Sequence, residues 1–409
     1  MTEDSSGLIF LTENGNQSFN DTPVVVCCCC ATAGDQCPTH VAQVSFYVDV
    51  LELYYVPILI LVGFVGNLLT CLVLMTTHLK MRSSSYYLSA LAVADTGYLL
   101  SLLVEYYSSH HTTNPYHTEA SCEMRIYFAY VFSFLSVWLT VAFTVERFIA
   151  VQYPLKRPSI CTISRAKSIT AALVVTSVLL YLYVFWVVGV VNGTCDLKPL
   201  DTNFYEVINY IDTIVTLVIP VILIVGMNSM ISRTIFRFRK MVQTNTLDPC
   251  DRVRLCDTSS QSSNKFKGQE RESVELMTPT KITVFKNHVM QTSNSHIHIK
   301  TTSKYAMSVR IQQNINKMLL VVSYTFVLLN LPSYVIRLFY FFDDILDRTV
   351  DKQMKLYINC AQKIAMLLYY TNFSINFLLY TMCGETFRIC LKNTLCNLFY
   401  KLIGVTSRI

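Results

Sequence analysis

Long apolar runs alternate with short charge-bearing stretches along this chain. Runs of spanning length lie near residues 51–77, 84–107, 123–152, 166–190, 207–232, 307–341 and 354–382. Their apolar positions are continuous rather than alternating, which predicts helices and not the strands of a β-barrel. The fold class expected is therefore an all-α membrane protein, a seven-transmembrane helix bundle spanning 51–382. A periodic segment follows the last run. Phe387, Leu391, Leu395 and Leu398 recur at helical spacing opposite Arg388, Lys392 and Asn393, so 383–409 should hold a short amphipathic cytosolic helix and a short tail. Residues 1–50 read as a mobile tail. Residues 240–305 are Ser/Thr-rich with little apolar periodicity, and read as a largely disordered loop suited to phosphorylation.

Composition agrees with this pattern. Of 409 residues, 52% are hydrophobic and only 15% are charged, whereas a soluble protein carries about a quarter charged residues. The net charge of +6 follows from where the loops face and is no nucleic-acid signal. Residues 1–79 contain no Lys or Arg, while Lys80, Arg82, Lys156, Arg157, Arg165 and Lys167 fall between the first and second and the third and fourth runs. The positive-inside rule then places the N-terminus outside and the C-terminus in the cytosol. Met1-Thr2-Glu3-Asp4 lacks the basic start of a cleaved signal, so the first span is expected to act as its own anchor. Asn16, Asn20 and Asn192 head glycosylation sequons on the outer side, whereas the sequon at Asn372 lies inside a span. Cys390 and Cys396, on the amphipathic helix, are candidates for palmitoylation.

Polar residues within the runs carry the chemistry. Val131 to Leu155 is apolar or small until it meets Glu146-Arg147, expected where hydrocarbon gives way to water. Adjacent helical side chains point about 100° apart, so Arg147 should reach other helices or a docking partner; interfacial snorkelling is the plainer alternative. Asp95 sits near the middle of the second run, where a carboxylate costs roughly 3 kcal/mol on insertion scales. It reads either as a protonated structural acid or as part of a cation site. Asn67 in the first run should face other helices. Pro220 and Pro332 should kink the fifth and sixth. Cys122 and Cys195 both lie on the oxidising side and could bridge, worth about 4 kcal/mol in the chain-entropy model. Cys27–Cys30 and Cys37 form an odd cluster with no interleaved His, which argues against a metal site. His288, His296 and His298 read as solvated loop residues.

Assembled, these residues resemble the rhodopsin-like G protein-coupled receptors over the whole membrane part. The resemblance rests on Gly66-Asn67, Leu91 with Asp95, Cys122 with Cys195, Glu146-Arg147-Phe148, Pro220, Phe326 with Pro332, and Asn376 with Tyr380. It implies that Arg147 and Tyr380 rearrange on activation so that a heterotrimeric G protein docks between the inner helix ends, with arrestin and receptor kinases as further partners. It also implies an allosteric sodium ion held by Asp95, Ser136, Asn372 and Asn376. Ser136 lies three helical turns from Arg147, which puts it at the depth of Asp95. Departures are instructive. The family's Asp-Arg-Tyr reads Glu-Arg-Phe, Phe377 replaces a proline, Asn330 replaces a common Trp, the usual fourth-span Trp is displaced, and Asn228 replaces a Tyr that holds the activated Arg. Transmission then falls to Phe326 with Asn330, and the seventh helix should be less kinked.

The ligand class is narrowed by what is missing. Ala129 stands where amine receptors carry Asp, and Tyr370 where light sensors carry Lys. Glu105, Glu123, Arg125, Asp212, Arg337 and Lys363 lie among tyrosines at the outer ends of the spans. Charges of both signs around an aromatic mouth suit a peptide better than a lipid, although each alone reads as a salt bridge or a snorkel. The strings SSSYYLSALAVADTG, LLNLPSYVIRL and SINFLLY are similar to invertebrate neuropeptide receptors of the FMRFamide, myosuppressin and proctolin type. The expected function is a plasma-membrane peptide receptor without enzymatic activity. A chemosensory receptor of the same fold for a small molecule is the alternative. A transporter would need inverted repeats and several buried charges, which the sequence lacks.

Overall fold

A computed structural model of the chain describes residues 39–110, 118–191, 194–198, 202–245, 320–339 and 352–402. The chain divides into two units, one formed by Met1–Ile231 with Ile311–Ile409 and the other by Ser232–Arg310. The first is a helical bundle; of the second, residues 232–245 are described and are helical. Asn16, Asn20, Asn192, the N-terminal cysteines and residues 246–305 fall outside the described residues.

The helices follow the apolar runs. We label them α1 (Thr39–Thr76), α2 (Ser83–His110), α3 (Glu119–Gln152) and α4 (Ile163–Leu180). Then α5 runs from Thr202–Thr213 through a π-helical turn, Ile214–Val218, into Ile219–Asn245. The last three are α6 (Leu320–Phe339), α7 (Lys352–Cys383) and α8 (Glu385–Leu402). Among the described residues, six helices are long and apolar enough to cross a membrane, and α7 is the seventh of the bundle. Its middle is less apolar because it carries Asn372, Ser374 and Asn376, all of them buried against other helices. Some boundaries differ from the sequence pattern, and the fourth run, read to residue 190, gives way to a strand at Val188. α1 begins at Thr39, inside the stretch read as tail, and α5 runs to Asn245, into the stretch read as loop.

α3 is the central rod. Two thirds of its most apolar window (67%) is buried, against 22% for α4, so α4 lies at the rim. Thr118 caps α3 by accepting a hydrogen bond from the Ser121 N–H. α1 packs on α7 through close contacts that need small residues. A Cβ on Gly66 would lie 2.8 Å from that of Phe377, and Ser374 Oγ donates to the Leu59 carbonyl at 3.0 Å. Asn67 donates to the Phe373 carbonyl at 2.9 Å, facing another helix as its cost in lipid demands.

The two prolines act differently. Pro220 has no N–H to give to Thr216 four residues back, and its ring would crowd that carbonyl. The π turn ending at Val218 takes up this mismatch by widening the helix there. α6, by contrast, runs unbroken through Pro332. After α4, the chain forms a hairpin of β1 (Val188–Val191) and β2 (Thr194–Leu197), paired antiparallel with Val190 opposite Cys195. The bundle thus has a hairpin end and, at the opposite end of α3, an Arg147 end.

Candidate functional site

At the centre of the bundle Asp95 is fully buried (0% exposed). Ser136 of α3 donates to its Oδ1 at 2.6 Å, and Asn376 of α7 donates to its Oδ2 at 2.8 Å. Asn372 takes part only indirectly, through its backbone carbonyl 3.4 Å from the Asn376 amide. The carboxylate therefore has two neutral donors and no cationic side chain in its hydrogen-bonding set among the described residues. Buried anionic charge is costly unless it is compensated. Carboxylate, hydroxyl and amide oxygens are also the donors a hard cation takes. The residues present fit a small monovalent cation.

Towards the Arg147 end lies the cluster of Val137, Val141, Ile224 and Phe326, with Trp138 packed against it. Asn330 is buried and turns back on its own helix, its Nδ2 donating to the Phe326 carbonyl at 2.6 Å. Its Oδ1 has no hydrogen-bond partner among the described residues.

Arg147 is 2% exposed and bonds Glu146 through Nη2 and Oε1 at 2.5 Å. Among the described residues Arg147 bonds Glu146 rather than a neighbouring helix, and its burial argues against the snorkelling alternative. Both side chains are long enough to bend together despite their different starting directions. Phe143 lies under the guanidinium with its ring centre 5.8 Å from Cζ. Ser83, at the start of α2, holds Glu146 Oε1 from the other side at 2.9 Å and lies 3.2 Å from the Cys161 carbonyl. Burial pushes the nearby Cys161 thiol above its ordinary pKa. Arg147 Nε, Glu146 Oε2, Asn228 Oδ1 and the Tyr380 hydroxyl all lack partners among the described residues. Tyr380 itself is buried with its ring edge-on to Phe387 of α8.

At the hairpin end the charged candidates resolve into ion pairs that each join two elements. Asp49 of α1 meets Lys363 of α7 at 2.5 Å, and Glu105 of α2 pairs with Arg125 of α3. Asp212 of α5 accepts from Arg337 of α6 at 3.4 Å and from the Tyr181 hydroxyl at 2.7 Å. Arg337 also lies over the Tyr334 ring at 5.0 Å. Lys198, following β2, reaches Glu119 and Glu123 of α3 at 2.9 and 3.1 Å, and these bonds hold its pKa above the ordinary lysine value. The Cys122–Cys195 disulfide, Cα to Cα 5.6 Å, fixes the same hairpin to α3.

Ala129 and Tyr370, where amine receptors and light sensors carry Asp and Lys, both border one aromatic core. Tyr370 is buried in the α1–α2–α7 core with Tyr98 and Phe373, and Ala129 packs against that cluster. Ala129 also lines a small pocket beside the Glu105–Arg125 pair. Tyr181 and Ser83 were not singled out by the sequence. A tyrosine inside the apolar fourth run was the available signal for the first; a serine in a run of three gave none for the second.

Cys390 was a candidate for acylation but is buried, its sulfur 3.9 Å from His78 Nδ1, whereas Cys396 is exposed. Arg388, expected on the polar face of α8, is exposed and donates to the Thr381 and Met382 carbonyls at the end of α7.

The sequence profile of the 7 transmembrane receptor (rhodopsin family) matches residues 66–380. The chain belongs to that family. Its membership makes the chain a multi-pass plasma-membrane protein of a family of receptors rather than enzymes. The thyrotropin-releasing hormone receptor of Bos taurus is 25% identical over 370 residues, covering 87% of this chain and 80% of that protein. The neuromedin U receptor homolog nmur-2 of Caenorhabditis elegans is 32% identical over 108 residues, 26% of this chain and 27% of that protein. Human neuromedin-U receptor 1 is 35% identical over 117 residues, 28% and 27% of the two chains. The rhodopsin-family resemblance drawn from Asp95, Arg147 and the other motif residues is borne out.

Proposed function

We propose that this rhodopsin-family chain is a receptor for an extracellular peptide and signals through a heterotrimeric G protein. Its hairpin end faces outward and its C-terminus lies in the cytosol. The observation that carries the reading is the set of ion pairs at the hairpin end, each joining two elements of the fold beside a tyrosine-rich interior. A peptide offers the charged and amide groups that can exchange with such pairs, so its binding changes which helices are held together. The relatives support this reading, since those named for thyrotropin-releasing hormone and neuromedin U are peptide receptors.

At the Arg147 end, the resting packing leaves donors on Arg147 and Tyr380 and acceptors on Glu146 and Asn228 unmatched. An arrangement that pairs them costs little, so a modest differential affinity outside suffices to favour it. Arrestin and receptor kinases would read the same end, with phosphorylation on 240–305. Asp95, Ser136 and Asn376 would hold a sodium ion, which supplies the missing positive charge and favours the resting arrangement.

A calcium or reporter screen of the expressed receptor against amidated peptides tests the proposal, with a response to at least one peptide expected. Silence across a broad panel together with responses to volatile small molecules would replace it with the chemosensory reading.

A further inference from the structure

Near the hairpin end, α5 and α7 each carry a side-chain amide whose oxygen is buried and lacks a donor among the described residues. These are Asn209 Oδ1 and Gln362 Oε1. Both belong to the inward stripe of their helices. Asn209 lies one turn before Thr213, which is buried and donates to the Asn209 carbonyl at 2.8 Å. Gln362 lies one turn before Met366 and two before Tyr369, whose hydroxyl meets Ser133 of α3 at 2.6 Å.

Their situation differs from that of the charges around them. Asp49, Glu105 and Asp212 each already hold a cationic partner. Among the described residues the two amide oxygens hold no donor, and a buried acceptor without a donor is a standing penalty that folded proteins keep for a reason. Apolar residues of the same size would remove that penalty, so a stability role does not account for them. What they can accept is an N–H.

We infer that Asn209 and Gln362 are specificity-determining residues that accept hydrogen bonds from N–H groups of the bound peptide. This rests on the peptide-receptor reading above. The donors are either backbone amides or a terminal ammonium, because both present an N–H without a competing oxygen at the same atom. Neither residue depends on the ion pairs, so each reads the peptide independently of its charged side chains.

The test uses full-length receptor carrying Asn209→Leu or Gln362→Leu. The first measurement is thermal unfolding of solubilised receptor without peptide. Equal or higher stability is expected, and a clear loss in both variants overturns the inference by showing that the amides serve the resting fold. The second is affinity for a peptide that responds in the amidated panel, for analogues methylated at one backbone nitrogen at a time, and for its des-amino form, which lacks the terminal nitrogen. Each variant should bind the parent about three- to tenfold more weakly. One N-methyl analogue, or the des-amino form if the donor is the ammonium, should lose no further affinity on the matching variant. A peptide that binds both variants as tightly as the wild type sinks the inference and leaves the peptide reading intact. If no peptide binds the wild type, the reading and the inference fall together.

Discussion

Arg147 bonds the residue that precedes it in the chain, Glu146, and both are buried. Removing one partner of a buried ion pair costs about 3–5 kcal/mol because the other charge is left uncompensated. If only about 1.4 kcal/mol of that falls on the resting arrangement alone, the ratio of active to resting receptor rises tenfold. Glu146→Gln is therefore expected to raise basal nucleotide exchange by G protein in membranes at equal surface expression. Arg147→Ala should abolish the peptide-stimulated part. Basal exchange that Glu146→Gln leaves unchanged would show that the pair is not a restraint.

Asp95 gives a second expectation. Its two donors, Ser136 and Asn376, are neutral, so the carboxylate needs a small cation or a proton to complete it. Asp95→Asn keeps the shape and removes the charge. Agonist affinity of the wild type should fall as sodium replaces a bulky organic cation at constant ionic strength, and the variant should show no such dependence. Equal sodium slopes for the two proteins would remove the ion from this site.

The sequence made the bundle legible because bilayer thickness imposes one length and one polarity on every span. Asp95 was legible because a polar group in lipid must find a partner, whereas Ser136 and Asn376 were named through the rhodopsin-family resemblance, with helical spacing placing Ser136 at the depth of Asp95. The bond between Arg147 and Glu146 was not legible, because starting directions about 100° apart do not fix where two long side chains end. The ion pairs were named as charges but not as pairs, since pairing depends on which helices are neighbours. Pro220 foretold an irregularity in the fifth span, and the π turn at Ile214–Val218 lies just before it. Cys390 lies on the face of α8 that turns towards His78, which periodicity alone did not single out from Cys396.

The contact between Gly66 and Phe377 makes a test of packing with an unusual sign. Alanine in place of a helical glycine normally gains about 0.5–1 kcal/mol. Here the added methyl would lie 2.8 Å from Phe377 Cβ, an atom fixed to the backbone of α7. Overpacking of this kind costs about 1–3 kcal/mol. Gly66→Ala should therefore lower the unfolding temperature of solubilised receptor. In a Phe377→Ala background the large ring is gone and helix spacing can relax, so the same change should be neutral or stabilising. A stabilising Gly66→Ala in the wild-type background would mean that α1 and α7 are not so close.

Cys390 and Cys396 separate by exposure. A thioester needs a thiol that reaches the bilayer surface, and Cys396 is exposed on a helix whose Ile389, Leu395 and Phe399 are exposed with it. Cys390 faces inward, and an acyl chain there would have to displace the contacts of His78 and Phe387. Metabolic labelling with a clickable palmitate analogue should accordingly fall strongly in Cys396→Ser and little in Cys390→Ser. Cys390→Ser should instead act through packing, lowering thermal stability by about 1 kcal/mol or less because the change is small in volume. Label lost in Cys390→Ser and kept in Cys396→Ser would require α8 to roll about its axis in the membrane.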